Sequence, residues 1–192
     1  MEKISSLNLD FDRVLIQLII PGLAAFFPWA IIFLNSHHFE RDFLFKNLTL
    51  LITILSILSL IVGLILENLG SIIEVHFYDK KNGIEFPNYM DIWNEFLCLN
   101  YAGNEPTGHR YLRNILLRMK FELSFGLGLV PMAIGLIVLD SQTIIFNSII
   151  IKILFFYFFP LASSIYLIFK EARSSSKVLA RTREILVLKY GK

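Results

Sequence analysis

Cysteine is nearly absent: Cys98 stands alone in 192 residues, which excludes an intrachain disulfide framework and a cysteine-built zinc site within one chain. Charge is scarce as well, at 18% of residues. The 18 Lys and Arg almost balance the 16 Asp and Glu, so the net charge of +2 argues for neither nucleic acid nor an acidic partner. Catalytic signatures are missing too: the sequence holds no HExxH, P-loop, GxSxG, glycine-rich dinucleotide fingerprint or RxxxxH pattern. Neither an enzyme of ordinary type nor a cofactor is expected.

What the sequence has in abundance is apolar surface. Hydrophobic residues make up 55% of the chain, 18 of them Phe, and mean hydropathy is +0.62. One soluble core does not need that much, so a membrane protein is expected. A helix must carry about 20 apolar residues to cross about 30 Å of hydrocarbon. Four stretches qualify, at about 14–34, 48–66, 123–139 and 153–169. The first is too long for a signal-peptide core, is led by Glu2, Asp10 and Asp12, and precedes no small-x-small cleavage pattern, so it reads as a permanent span. The fold class expected is all-α, a polytopic membrane domain of four transmembrane helices. Of the 18 cations only Arg41, Lys46 and Lys152 fall on the far side, which orients both termini and the central segment toward the cytosol of a plasma membrane. Lys152 itself either snorkels to the outer interface or lines a pore.

Residues 67–120 are too few to fold comfortably alone and read as a cytosolic helical hairpin that extends the second and third spans. Leu66, Leu69, Ile73 and Phe77 lie at helical spacing, a loop is expected from Lys80 to Asn88, and a short Trp93-containing helix caps the tip. The basic tail, 171–192, is helix-compatible and has two destinations: the anionic membrane surface, or a place beside the hairpin.

The second span carries the most informative pattern. Thr49, Thr53, Ser56, Leu60, Gly63, Glu67, Gly70 and Glu74 follow in alternating steps of 4 and 3, so one stripe is small or polar. Ser124, Gly128, Pro131 and Gly135 make a similar face on the third span. Either the two faces let antiparallel helices approach closely, or the stripe lines a polar pathway at an oligomer axis with Glu67 and Glu74 as charge rings. At the cytosolic boundary ion pairs are expected between Glu67 and Arg118 and between Glu74 and Arg113. Trp93, Arg110, Lys177, Arg181 and Arg183 are candidates for partner or lipid contact. His37-His-Phe-Glu-Arg-Asp reads as a solvated loop, no metal site is expected, and Cys98 reads as a buried small hydrophobe.

In layout, four spans with both ends inside and the 67–120 insert between spans two and three, the chain resembles small membrane accessory and effector proteins of bacterial antiviral defence systems. That resemblance implies membrane disruption or partner recruitment triggered from the cytosol. The expected function is a non-enzymatic homo-oligomer that forms or modulates a pore on a cytosolic signal. The alternative is a scaffold that docks a cytosolic partner without conducting ions; an intramembrane enzyme or small transporter is the third class. Expected partners are the lipid bilayer, further copies of the chain and a cytosolic protein, rather than nucleic acid.

Overall fold

A computed structural model describes residues 2–98, 107–141 and 158–190, and among them every regular element is helical. In chain order these are α1 (Glu2–Ser36), α2 (His38–Lys46), α3 (Leu48–Ile73), a π-helical segment π1 (Glu74–Asp79), α4 (Lys80–Glu85), α5 (Tyr89–Leu97), α6 (Thr107–Ser141) and α7 (Phe159–Tyr190). Three stretches are long and apolar enough to cross a membrane: Gln17–Ser36, Leu48–Glu85 and Tyr111–Leu139. The fourth expected span, 153–169, lies partly outside the described residues, as Lys152 does entirely; its described part, from Phe159 to Phe169, opens α7. The segment expected as an outer loop around His37 is the short helix α2, not irregular chain.

Glycine and proline decide how the apolar helices meet. A Cβ on Gly22 of α1 would overlap the Ser59 carbonyl of α3, and one on Gly63 would overlap the Leu18 carbonyl, so these two backbones touch without side chains between them. On its other side α1 packs on α6. Gly128 faces the Pro21 carbonyl at 2.9 Å from a would-be Cβ, and Gly135 faces the Pro28 ring at 2.8 Å. Trp29 Nε1 donates to the Pro131 carbonyl at 3.0 Å. The two small-residue faces therefore do not chiefly meet each other. The first span is wedged between them, and direct contact of α3 with α6 comes at Gly70, whose would-be Cβ lies 3.2 Å from Leu123 Cβ, and at Leu66, whose Cδ1 lies 3.2 Å from a would-be Cβ on Gly128.

Beyond this apolar part the long helices run on into a charged head. The stretch from Leu48 to Glu85 is 38 residues, or about 57 Å of helix, and α6, at 35 residues, is about 52 Å long. Lys80 to Glu85 is helical rather than the expected loop. The turn comes instead at Phe86, extended as a residue before proline must be, followed by Pro87 and by Asn88 in the left-handed region at φ 64°. The C-terminal half of α7 joins the same end. Tyr78, Leu112, Met119, Leu123, Ala172, Leu179 and Leu186 form one core there, with Phe96 and Phe169 packed against it. Of the two destinations open to the tail, the structure has the second: it is the third wall of the head.

The π segment keeps this assembly in phase. Ser59, Gly63, Leu66 and Gly70 are the buried side of α3. At 100° per residue Tyr78 would sit about 80° round from Gly70. One i→i+5 turn takes up an extra residue and returns about 100°, so Tyr78 and Asn82 also face inward. Phe77, which uniform spacing places with Leu66 and Ile73, is 67% exposed.

A candidate functional site in the charged head

The head is threaded by a column of polar side chains from α3–π1–α4, α6 and α7. At its apolar end Lys120 Nζ lies 3.1 Å from Glu67 Oε1. This pair borders a cavity of about 220 Å³ also lined by Gln17 and Ser124. Two residues from Lys120 on α6, Glu122 accepts hydrogen bonds from Arg118 Nε at 2.7 Å and Ser175 Oγ at 3.2 Å, and Arg118 also pairs with Glu171. The expected partner of Glu67 is thus corrected. Glu67 pairs with Lys120 rather than Arg118, because α6 presents Lys120 toward α3 while Arg118 turns toward α7. Glu74 stands in the field of Lys120 and Arg183, and Arg113 is exposed.

The middle of the column centres on Asn82, which is 1% exposed. Its Nδ2 donates to Ser176 Oγ at 2.9 Å, and its Oδ1 accepts from Arg173 Nη1 at 2.7 Å. The same Nη1 donates to the Tyr78 carbonyl at 3.1 Å, while Tyr78 Oη donates to the Phe169 carbonyl at 3.0 Å. Glu85 lies 3.0 Å from Arg173 Nη2, near enough to pair as charges, and 2.8 Å from Lys177 Nζ. The Asn82 amide thus bonds two side chains of α7, one through each of its polar atoms, and these bonds hold α4 helical through Gly83.

At the tip Arg183 is buried, its guanidinium 3.6 Å above the Trp93 ring centroid. Tyr89 Oη donates to Asp79 Oδ1 at 2.8 Å and accepts a long bond, 3.5 Å, from Arg183 Nη1. Burial lowers the Arg183 pKa, against the pull of Tyr89 and Asp79. It raises that of the Tyr89 phenol, and the bond to Asp79 adds to the rise, so Tyr89 remains a donor at neutral pH. Trp93 and Arg183, both candidates for outward contact, face each other inside the head.

Other candidates lie elsewhere. Thr49, Thr53 and Ser56 are exposed on α3, and Thr53 Oγ1 donates to its own helix at the Thr49 carbonyl, 2.8 Å away. Gly63 is buried against α1. Arg181 is exposed, Lys177 is engaged by Glu85, and the Arg110 side chain lies outside the described residues. Cys98, expected to be buried, is exposed at the end of α5. Among the described residues no three potential metal ligands converge.

Arg173, Asn82, Ser175, Ser176, Asp79 and Tyr89 escape a reading that looks for large apolar residues. The signal that finds the α7 members is small-residue periodicity: Ala172, Ser176, Leu179, Arg183 and Leu186 recur in steps of 4 and 3, and all are buried. Comparison with protein-family models, curated proteins and solved structures finds no match.

Proposed function

We propose that this chain is a non-enzymatic plasma-membrane protein with four spans and both termini in the cytosol. It acts as an assembly of copies that forms or modulates a pore when the charged head meets a signal or partner. One observation carries the reading: the hydroxyl face Thr49, Thr53 and Ser56 points outward from the protomer, on a helix whose other outward residues, Ile52, Ile57 and Ile61 among them, are large and apolar. Among the described residues this face borders no cavity of the protomer. Between copies it gives small, hydrogen-bonding positions at which helices associate in lipid. Because α3 continues through π1 and α4 into the head, a displacement of the head is passed to that face along one stiff element. The likeness in layout to effectors of bacterial antiviral systems supports a setting in which the trigger is cytosolic.

The test replaces Thr53 and Ser56 together by leucine and measures ion flux in vesicles beside particle mass in detergent. Loss of flux is expected, and full flux from an intact assembly overturns the pore. A docking scaffold is the second reading, favoured by Val178, Ile185 and Leu188, which stand exposed on α7 opposite its buried side. Removing the tail would unfold the head, so the discriminating variant is Ile185→Asp with Leu188→Asp. Lost partner recovery in a protein that never conducts supports docking.

A further inference from the structure

On the flank of the head, bordering the buried column at Tyr78 and Arg173, a groove of about 590 Å³ opens between α3–π1–α4 and α7. Its lining includes three cations, Lys81, Lys170 and Arg173, and no acid. Phe77, Tyr166 and Phe169 supply much of the rest. The cations differ in how they are held. Arg173 is fixed by the Tyr78 carbonyl, Asn82 and Glu85. Lys81 and Lys170 are exposed and make no ion pair among the described residues. The groove also lies where α7 changes character, since Phe169 ends its apolar run and Lys170 begins the charged one. Tyr166 to Arg173 covers about 10 Å of helix, enough to pass from acyl chains through a headgroup layer.

We propose that this groove binds an anionic phospholipid. The phosphate sits between the Lys81 and Lys170 ammonium groups with the Arg173 guanidinium behind it, and an acyl chain lies on Phe77, Tyr166 and Phe169. The proposal rests on the membrane reading above and adds to it a defined lipid class and site. The rings argue for a lipid over a soluble phosphate, because Phe77 and Tyr166 are 67% and 66% exposed beside the cations and a free anion makes no use of them. Basic pockets between membrane helices on the cytosolic side recognise anionic headgroups by this combination.

The experiment is native mass spectrometry of the full chain released from detergent, titrated with palmitoyl-oleoyl phosphatidylglycerol, with the matching phosphatidylcholine, and with glycerol phosphate. The expected result is at least tenfold tighter retention of phosphatidylglycerol than of phosphatidylcholine. Lys81→Gln with Lys170→Gln should lower that affinity about thirtyfold. Phe77→Ala should weaken the lipid but not glycerol phosphate. All three side chains are exposed, and unchanged helical circular dichroism confirms that the variants fold. Equal retention of the two lipids, or a double variant that binds as well as the parent, overturns the proposal. Glycerol phosphate displacing the lipid at equal concentration overturns the lipid as the occupant. A chain stripped from membranes by alkaline carbonate overturns the membrane reading and this site with it; one that stays in the membrane but is indifferent to headgroup charge overturns the site alone.

Discussion

The apolar end and the charged head are built from the same long helices yet hold together by opposite means. At the apolar end the closest contacts are made by glycines, Gly22 and Gly63 backbone to backbone between α1 and α3, Gly128 against the Pro21 carbonyl and Gly135 against the Pro28 ring between α1 and α6. Large side chains such as Phe27, Ile57 and Leu64 point away from the bundle. In the head side chains make the contacts: Met119, Leu123, Leu179 and Leu186 are buried, a Cβ on Gly108 would meet the Leu186 side chain at 2.9 Å, and Gly83 faces open space. Water drives large apolar side chains inward, at about 2 kcal/mol each, whereas lipid offers no such drive and leaves close van der Waals approach as the main attraction. The apolar end thus packs as helices do in lipid, and the head packs as a core surrounded by water does.

The contrast breaks most visibly at Gly63. Gly63→Leu should cost about 3 kcal/mol or more, because the new side chain meets the Leu18 backbone rather than a movable side chain. Thermal unfolding in detergent with α1 cleavage by protease as readout checks it, and an unchanged midpoint would remove the close approach from the account. Leu179→Ala empties part of the head core and should cost about 2–4 kcal/mol. Its effect should appear as local protease sensitivity of the head while the apolar helices stay protected. Asn82→Leu strands Arg173 and Ser176 and should cost about 1–3 kcal/mol, with hydrogen exchange accelerating in α4 and α7 together. The smallest effect carries the opposite sign. Gly83→Ala should stabilise by about 0.5–1 kcal/mol, since no atom lies within 4 Å of the new Cβ and the residue is helical. If Gly63→Ala and Gly83→Ala shift the midpoint in the same direction, the two ends do not differ as described.

Much of the architecture is legible before any coordinates. A charge-free run rich in Leu and Ile from residue 48 onward announces α3, and Leu123 to Leu139 announces the apolar part of α6. Other features follow from a local rule too weak to apply alone. Lys-Asn-Gly reads as a turn, yet Asn82 is held by two residues of α7, 91 and 94 positions away, and those bonds keep α4 wound. The polar stripe on α3 is real as a sequence pattern, but assumes one helical period from Thr49 to Glu74. Its first half is exposed, Gly63 and Gly70 are buried, and the π segment changes the phase beyond them.

By itself the sequence determined the element type and that several helices are long and apolar enough to cross a membrane. Long charge-free runs of Leu, Ile and Phe need lipid or a deep interior, and a backbone in that setting satisfies its own hydrogen bonds only as a helix. It also determined that charge gathers at one end of the long helices. Tertiary structure alone decided which small residues touch which helix, that α1 is the wedge between the two small faces, and that Trp93 and Arg183 meet inside the head. Those outcomes depend on helical phase and on residues about 90 positions apart, and no local pattern of hydropathy encodes either.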